Sequence, residues 1–160
     1  MLVALLLIGS FAHGETVVIE PAGIQLERPS GAELIGKEDV KVKVSNFCFP
    51  RIKLVGGSQI DCVISMREFY SLRAAFDWYI RQQQKNLGKG DTVSEISRGE
   101  FTSKGGVKGL WCRLDFKRKS ACLPNHLIRY IFRNKKGEIV CMGGFGDVDQ
   151  INKLVMKSLA

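Results

Sequence analysis

The segment Tyr130-Ile131-Phe132-Arg133-Asn134-Lys135-Lys136-Gly137-Glu138-Ile139-Val140-Cys141 constrains the fold of this chain more than any other, because two strongly β-prone runs flank a short turn with a late glycine. It predicts a hairpin in which a strand from His126 to Arg133 returns as a strand from Glu138 to Met142. A hairpin cannot stand alone in water, so the rest of the chain must supply neighbouring strands and a layer to cover them.

Period-two patterning supplies those strands. In the first, Val40 to Phe49, Val42 and Val44 point one way and Lys41, Lys43 and Ser45 the other, and Pro50 stops it. Gly56-Gly57-Ser58 turns the chain into a second, Gln59 to Phe69, with Ile60, Cys62, Ile64 and Met66 on one face. A third is expected over Asp91 to Phe101. A fourth follows over Val107 to Lys117, where Leu110, Cys112, Leu114 and Phe116 alternate against Trp111, Arg113 and Asp115.

Two helices interrupt or close the series. Ser71 opens the longer one, whose Leu72, Ala75, Phe76, Tyr79 and Ile80 recur at spacings of three and four and form one apolar stripe, with Arg73, Asp77 and Arg81 on its flank at ion-pairing spacing. Gly88 and Gly90 end it. Gly143-Gly144-Phe145-Gly146 is expected to break the last strand, and Asp147, helped by Gln150, caps a closing helix with Ile151, Leu154, Val155 and Leu159 on its inner face. The order implies an α+β fold: a mostly antiparallel sheet of about six strands flanked by a long central helix and a C-terminal helix.

The N-terminus carries an address rather than a fold signal. An unbroken apolar run from Met1 to Ile8 passes through Gly9-Ser10-Phe11 into Ala12-His13-Gly14. The run is far shorter than the roughly 20 residues that span a bilayer, and small residues stand where a signal peptidase needs them. Residues 1–14 are therefore expected to be an export signal cleaved after Gly14, with a buried N-terminal strand or helix as the alternative. Residues 15–39, with Pro21, Gly23, Pro29, Gly31 and Gly36, read as an extended arm whose Ile24, Leu26 and Ile35 can lie against the domain. Residues 40–160 form the single domain, and no transmembrane segment is expected.

Charge and cysteine content narrow the partners and the chemistry. The formal net charge of +8 favours acidic counterparts. For an exported protein these are a protein surface or an anionic envelope component rather than nucleic acid. Five cysteines, Cys48, Cys62, Cys112, Cys122 and Cys141, include no Cys-x-x-Cys pair, which excludes the usual zinc and thioredoxin spacings. Most are expected to be buried thiols, although an oxidising compartment permits one or two disulfides. Cys122, in a polar connection, is the best placed to react.

Gly99-Glu100-Phe101-Thr102 followed by Gly105-Gly106 and the strand at Leu110, the Tyr130 to Cys141 hairpin, and the closing Phe145 to Leu159 segment together resemble the PsbP-like fold family over residues 40–160. That family includes an extrinsic subunit of photosystem II and a nuclear-import factor that binds a small GTPase. The resemblance implies a non-enzymatic assembly or accessory protein that binds a partner, with no catalytic residue to carry over.

Catalytic signatures are sparse. No Gly-x-Ser-x-Gly, phosphate-binding loop or dinucleotide fingerprint occurs, and no cofactor or metal is implied. His126 reads as a strand-end histidine. With Cys122 it makes the one local candidate for a cysteine nucleophile, which defines the alternative function, a small envelope hydrolase. The binding reading rests on Trp111 and Arg113 of the fourth strand and Arg129 and Arg133 of the fifth, which would share a patch if the strands are neighbours; Arg and Trp suit the anchoring of acidic or flat partners.

Overall fold

The computed structural model describes residues 14–40, 46–120 and 124–160. The expected leader up to His13, the Val42/Val44 alternation and Cys122 lie outside the described residues. The chain forms β1 (Glu15–Ile19), a 3-10 turn (Glu20–Ala22), β2 (Ile24–Arg28), β3 (Glu33–Ile35), β4 (Phe47–Lys53) and β5 (Gln59–Ile64), then α1 (Leu72–Lys85). After it come β6 (Thr92–Thr102), β7 (Lys108–Lys117), β8 (His126–Arg133), β9 (Ile139–Phe145) and α2 (Val148–Ser158). Among the described residues seven strands form one antiparallel sheet in the order β3-β4-β5-β9-β8-β7-β6, and β1 and β2 form a separate hairpin. The architecture is the expected α+β sandwich, with β3 as an added edge strand.

Both helices follow from their sequence signals. Ser71 is the N-cap of α1, its hydroxyl accepting from Ala74 N at 3.1 Å, and Asp147 caps α2 by accepting from Gln150 N at 3.0 Å. The Gln150 side chain does not reach back to close a capping box; it points to the Val55 carbonyl. The stripe of α1 buries Ala75, Phe76 and Ile80 against Leu110, Cys112, Ile131 and Ile139. Asp77 pairs not with its helix neighbours Arg73 or Arg81 but with Arg98 of β6, at 3.8 Å.

The opposite face holds the larger core. There α2 contributes Val148, Ile151, Leu154 and Val155, and the β1–β2 hairpin contributes Val17, Ile19, Ile24 and Leu26. The stretch read as an extended arm is thus paired and packed. The chain end is stitched to it, since Gln25 and Ala160 exchange backbone hydrogen bonds of 2.8 and 3.1 Å.

Three strand ends differ from expectation. Pro50 does not stop β4: the strand passes through it, with a cis Phe49–Pro50 bond, because the ladder to β5 shifts register between Cys48 and Ile52 and a bulge leaves Pro without a donor to supply. β5 ends at Ile64 rather than Phe69, so Met66 faces solvent. β9 continues through Gly143-Gly144 to Phe145. These glycines do not break the strand; they let it run where a Cβ would collide with the backbone carbonyls of Ile128 and Gln59.

Candidate functional site

Register determines which side chains meet. Asp61, Gly143, Arg129, Cys112 and Arg98 occupy one row across β5, β9, β8, β7 and β6 on the α1 side. Gly143 has no side chain, so Arg129 and Asp61, two strands apart, reach each other over it. The guanidinium grips the carboxylate with both terminal nitrogens, and its Nε donates to the Tyr79 hydroxyl of α1 at 3.1 Å. Burial works against the Arg129 charge, but Asp61 outweighs it and holds the guanidinium protonated. Burial also pushes the Tyr79 phenol well up and the Cys141 thiol up to about 11.

This pair floors a groove of about 660 Å³ between α1 and strands β4 and β5, lined by Phe47, Val63, Met66, Arg67, Trp78, Tyr79 and Cys141 among others. Its rim is the β5–α1 connection. There Phe69 and Trp78 pack with ring centroids 5.6 Å apart, and the Arg67 guanidinium carbon lies 5.4 Å from one ring and 5.9 Å from the other. Met66 is 77% exposed and Tyr70 93%. Arg133 tethers this segment by donating to the Phe69 carbonyl at 3.3 Å and to Gly137 O at 2.7 Å.

The four residues expected to share a patch are divided between two faces. Trp111 pairs with Tyr130 and Arg113 with Ile128, so both lie on the α2 side, whereas Arg129 pairs with Cys112 and lies under α1. Neighbouring strands were the right premise; the parity of the register is what separates them. Trp111 and Arg113 line a second cleft, of about 410 Å³, with Glu100, Val148, Asp149 and Asn152. Arg113 is no free cation there: its Nε is 3.1 Å from Asp115 and its NH1 is 3.8 Å from Asp149.

Asp115 also meets His126 Nδ1 at 2.7 Å. Partial burial works to raise the Asp115 carboxyl, but hydrogen bonds from His126 and Arg113 outweigh it and hold the group below its ordinary range. Asp115 thus bridges the Arg113 guanidinium and the His126 ring at the strand end. The four described cysteines are free and lie in β4, β5, β7 and β9. Among the described residues no cluster of three or more His, Cys, Asp or Glu could hold a metal ion, and no helix is long and apolar enough to cross a membrane.

Sequence reasoning missed Asp61, Met66, Arg67, Trp78 and Tyr79 as site residues. A signal for the floor was present: Asp61 is the sole charge in the Gln59–Ile64 run, and Arg129 the sole charge between Leu127 and Phe132. A lone charge inside an apolar strand marks a buried pair.

The architecture is that of the PsbP-like fold. A solved example similar to this chain is the solution structure of cyanobacterial PsbP (CyanoP) from Synechocystis sp. PCC 6803, with a TM-score of 0.57 and 13% sequence identity over 96% of each chain. No protein-family model and no curated protein matches the chain.

Proposed function

We propose that this chain is an exported, non-catalytic accessory protein that binds a protein partner through the groove between α1 and β5. The observation that carries the reading is the rim segment Met66–Tyr70, where Met, Arg and Tyr side chains project beside a Phe69–Trp78 pair. Methionine, arginine and aromatic residues are the types enriched in the cores of protein interfaces, and a thioether adapts to irregular partner surfaces. Arg129 and Arg133 serve this surface from below, as its floor and its tether. The PsbP-like fold agrees with an accessory role, and the apolar Met1–Ile8 run agrees with export, periplasmic or extracellular.

The test is recovery of a defined partner from the native envelope by the mature chain, compared with a Met66→Glu/Tyr70→Glu variant. Both positions are exposed, so the variant should keep the parental Tm. The reading requires that it lose the partner. Equal recovery by both proteins removes the groove rim from the interface. Binding that instead tracks anionic lipid or polymer content, and survives the double variant, replaces the protein partner with an envelope component.

A further inference from the structure

Cys48 of β4 and Cys62 of β5 stand directly opposite each other in the antiparallel ladder. Both are on the face that carries the larger core, and both are essentially sealed from solvent. Directly opposed residues on antiparallel strands have Cα atoms about 4.5–5.5 Å apart, within the roughly 4.4–6.8 Å that a disulfide accepts. Immediately beyond Cys48 the ladder loses register through the Pro50 bulge. Cys112 and Cys141 lie on the α1 side instead, in the cluster around Phe76.

We propose that Cys48 and Cys62 form a modification site, a cross-strand disulfide that staples β4 to β5 when the chain meets a small-molecule or protein disulfide as oxidant. While the chain folds and before the core closes over the pair, the Cys48 thiolate attacks one sulfur of the oxidant's disulfide, whose S–S bond breaks and releases one thiol, leaving a mixed disulfide on Cys48. Cys62 then gives its proton to solvent and attacks the Cys48 sulfur; the Cys48–Cys62 bond forms and the second oxidant thiol leaves. Two protein thiols are oxidised by two electrons and one oxidant disulfide is reduced to two thiols. In the folded chain the neighbouring Cys62 holds the Cys48 thiol below its ordinary value, and Cys48 together with burial pushes Cys62 above its own. β4 and β5 supply Phe47, Asp61 and Val63 to the groove, and the bridge fixes that wall in place. The chemistry of the pair stands whether or not the groove binds a protein.

The reduced, unfolded chain is diluted into native buffer containing glutathione and glutathione disulfide, quenched with an alkylating agent and mapped by proteolysis and mass spectrometry. The expected dominant product is a peptide joining Cys48 to Cys62, absent from Cys48→Ser and Cys62→Ser variants, in a protein with the same near-UV spectrum as the reduced form. Closing a loop of about 15 residues should lower the unfolding equilibrium constant about a hundredfold relative to the reduced protein. A folded product with both thiols free or capped by glutathione overturns the proposal. So does a dominant bridge to another cysteine, or a Cys48–Cys62 bridge in a chain that fails to regain its native spectrum.

Discussion

Replacing Arg129 by Met is the sharpest probe of how this sheet is held, because the guanidinium is the hub of the α1-facing row. Its side chain is 9% exposed and that of Asp61 14%, and it donates three hydrogen bonds, two to Asp61 and one to Tyr79. Arg129→Met leaves the Asp61 carboxylate in the same desolvated place with no counter-charge and removes the donor to Tyr79. Breaking a buried pair by deleting one partner costs about 3–5 kcal/mol, and each kcal/mol lowers Tm by about 2–4 °C in a chain of this size. Asp61→Leu strands the opposite charge and should also destabilise. The double variant Asp61→Leu/Arg129→Met replaces the pair with apolar groups that can meet over Gly143, and should recover most of the loss. Urea denaturation of the parent, both singles and the double gives the coupling directly. A cost below about 1 kcal/mol for Arg129→Met, or a double variant equal to the sum of its parts, would refute the view that this pair is a desolvated, mutually dependent unit.

Phe76→Ala should cost about 3–5 kcal/mol in urea denaturation, because Phe76 is 1% exposed beneath α1; a loss under about 1 kcal/mol would put the α1 stripe on the wrong face. Stability should fall at alkaline pH. Burial raises Cys112 from 9.0 to about 12 and Cys141 to about 11, so the unfolded chain releases these protons first. Their contribution is complete below about pH 9 and is lost as pH rises through the folded values. A urea midpoint that is flat from neutral pH to about pH 10, or one whose fall is unchanged in a Cys112→Ala/Cys141→Ala variant, contradicts this. Expressed with its own leader, the protein should be recovered outside the cytoplasm with Glu15 at its N-terminus; Edman or mass analysis showing an intact Met1 on soluble cytoplasmic protein sinks the export reading.

Local elements were legible in the residues because local physics forms them. The Asn134–Gly137 turn between β8 and β9, the Ser71 and Asp147 caps, and the Leu72 to Ile80 stripe are decided by backbone sterics, capping hydrogen bonds and helical period. Strand ends were less legible. Pro50 and Gly143-Gly144 read locally as breakers, and each sits inside a strand because a partner strand supplies a bulge or a close backbone approach. The site was least legible of all. Arg129 and Arg113 look equivalent along the chain, yet one is clamped under α1 and the other flanks α2.

The sequence by itself determined the alternation of strands and helices, the faces each would bury, and hence the α+β class, because periodicity and turn chemistry act over a few residues. The tertiary structure alone decided sheet order and register, and with them everything that depends on distant residues being neighbours. It placed Asp61 and Arg129 across Gly143, Cys48 opposite Cys62, and the β1–β2 hairpin and Ala160 together over the larger core. The physical reason is that a shift of one residue in register moves a side chain to the other face of the sheet. That choice is made by the summed burial of all strands at once, which no local window contains.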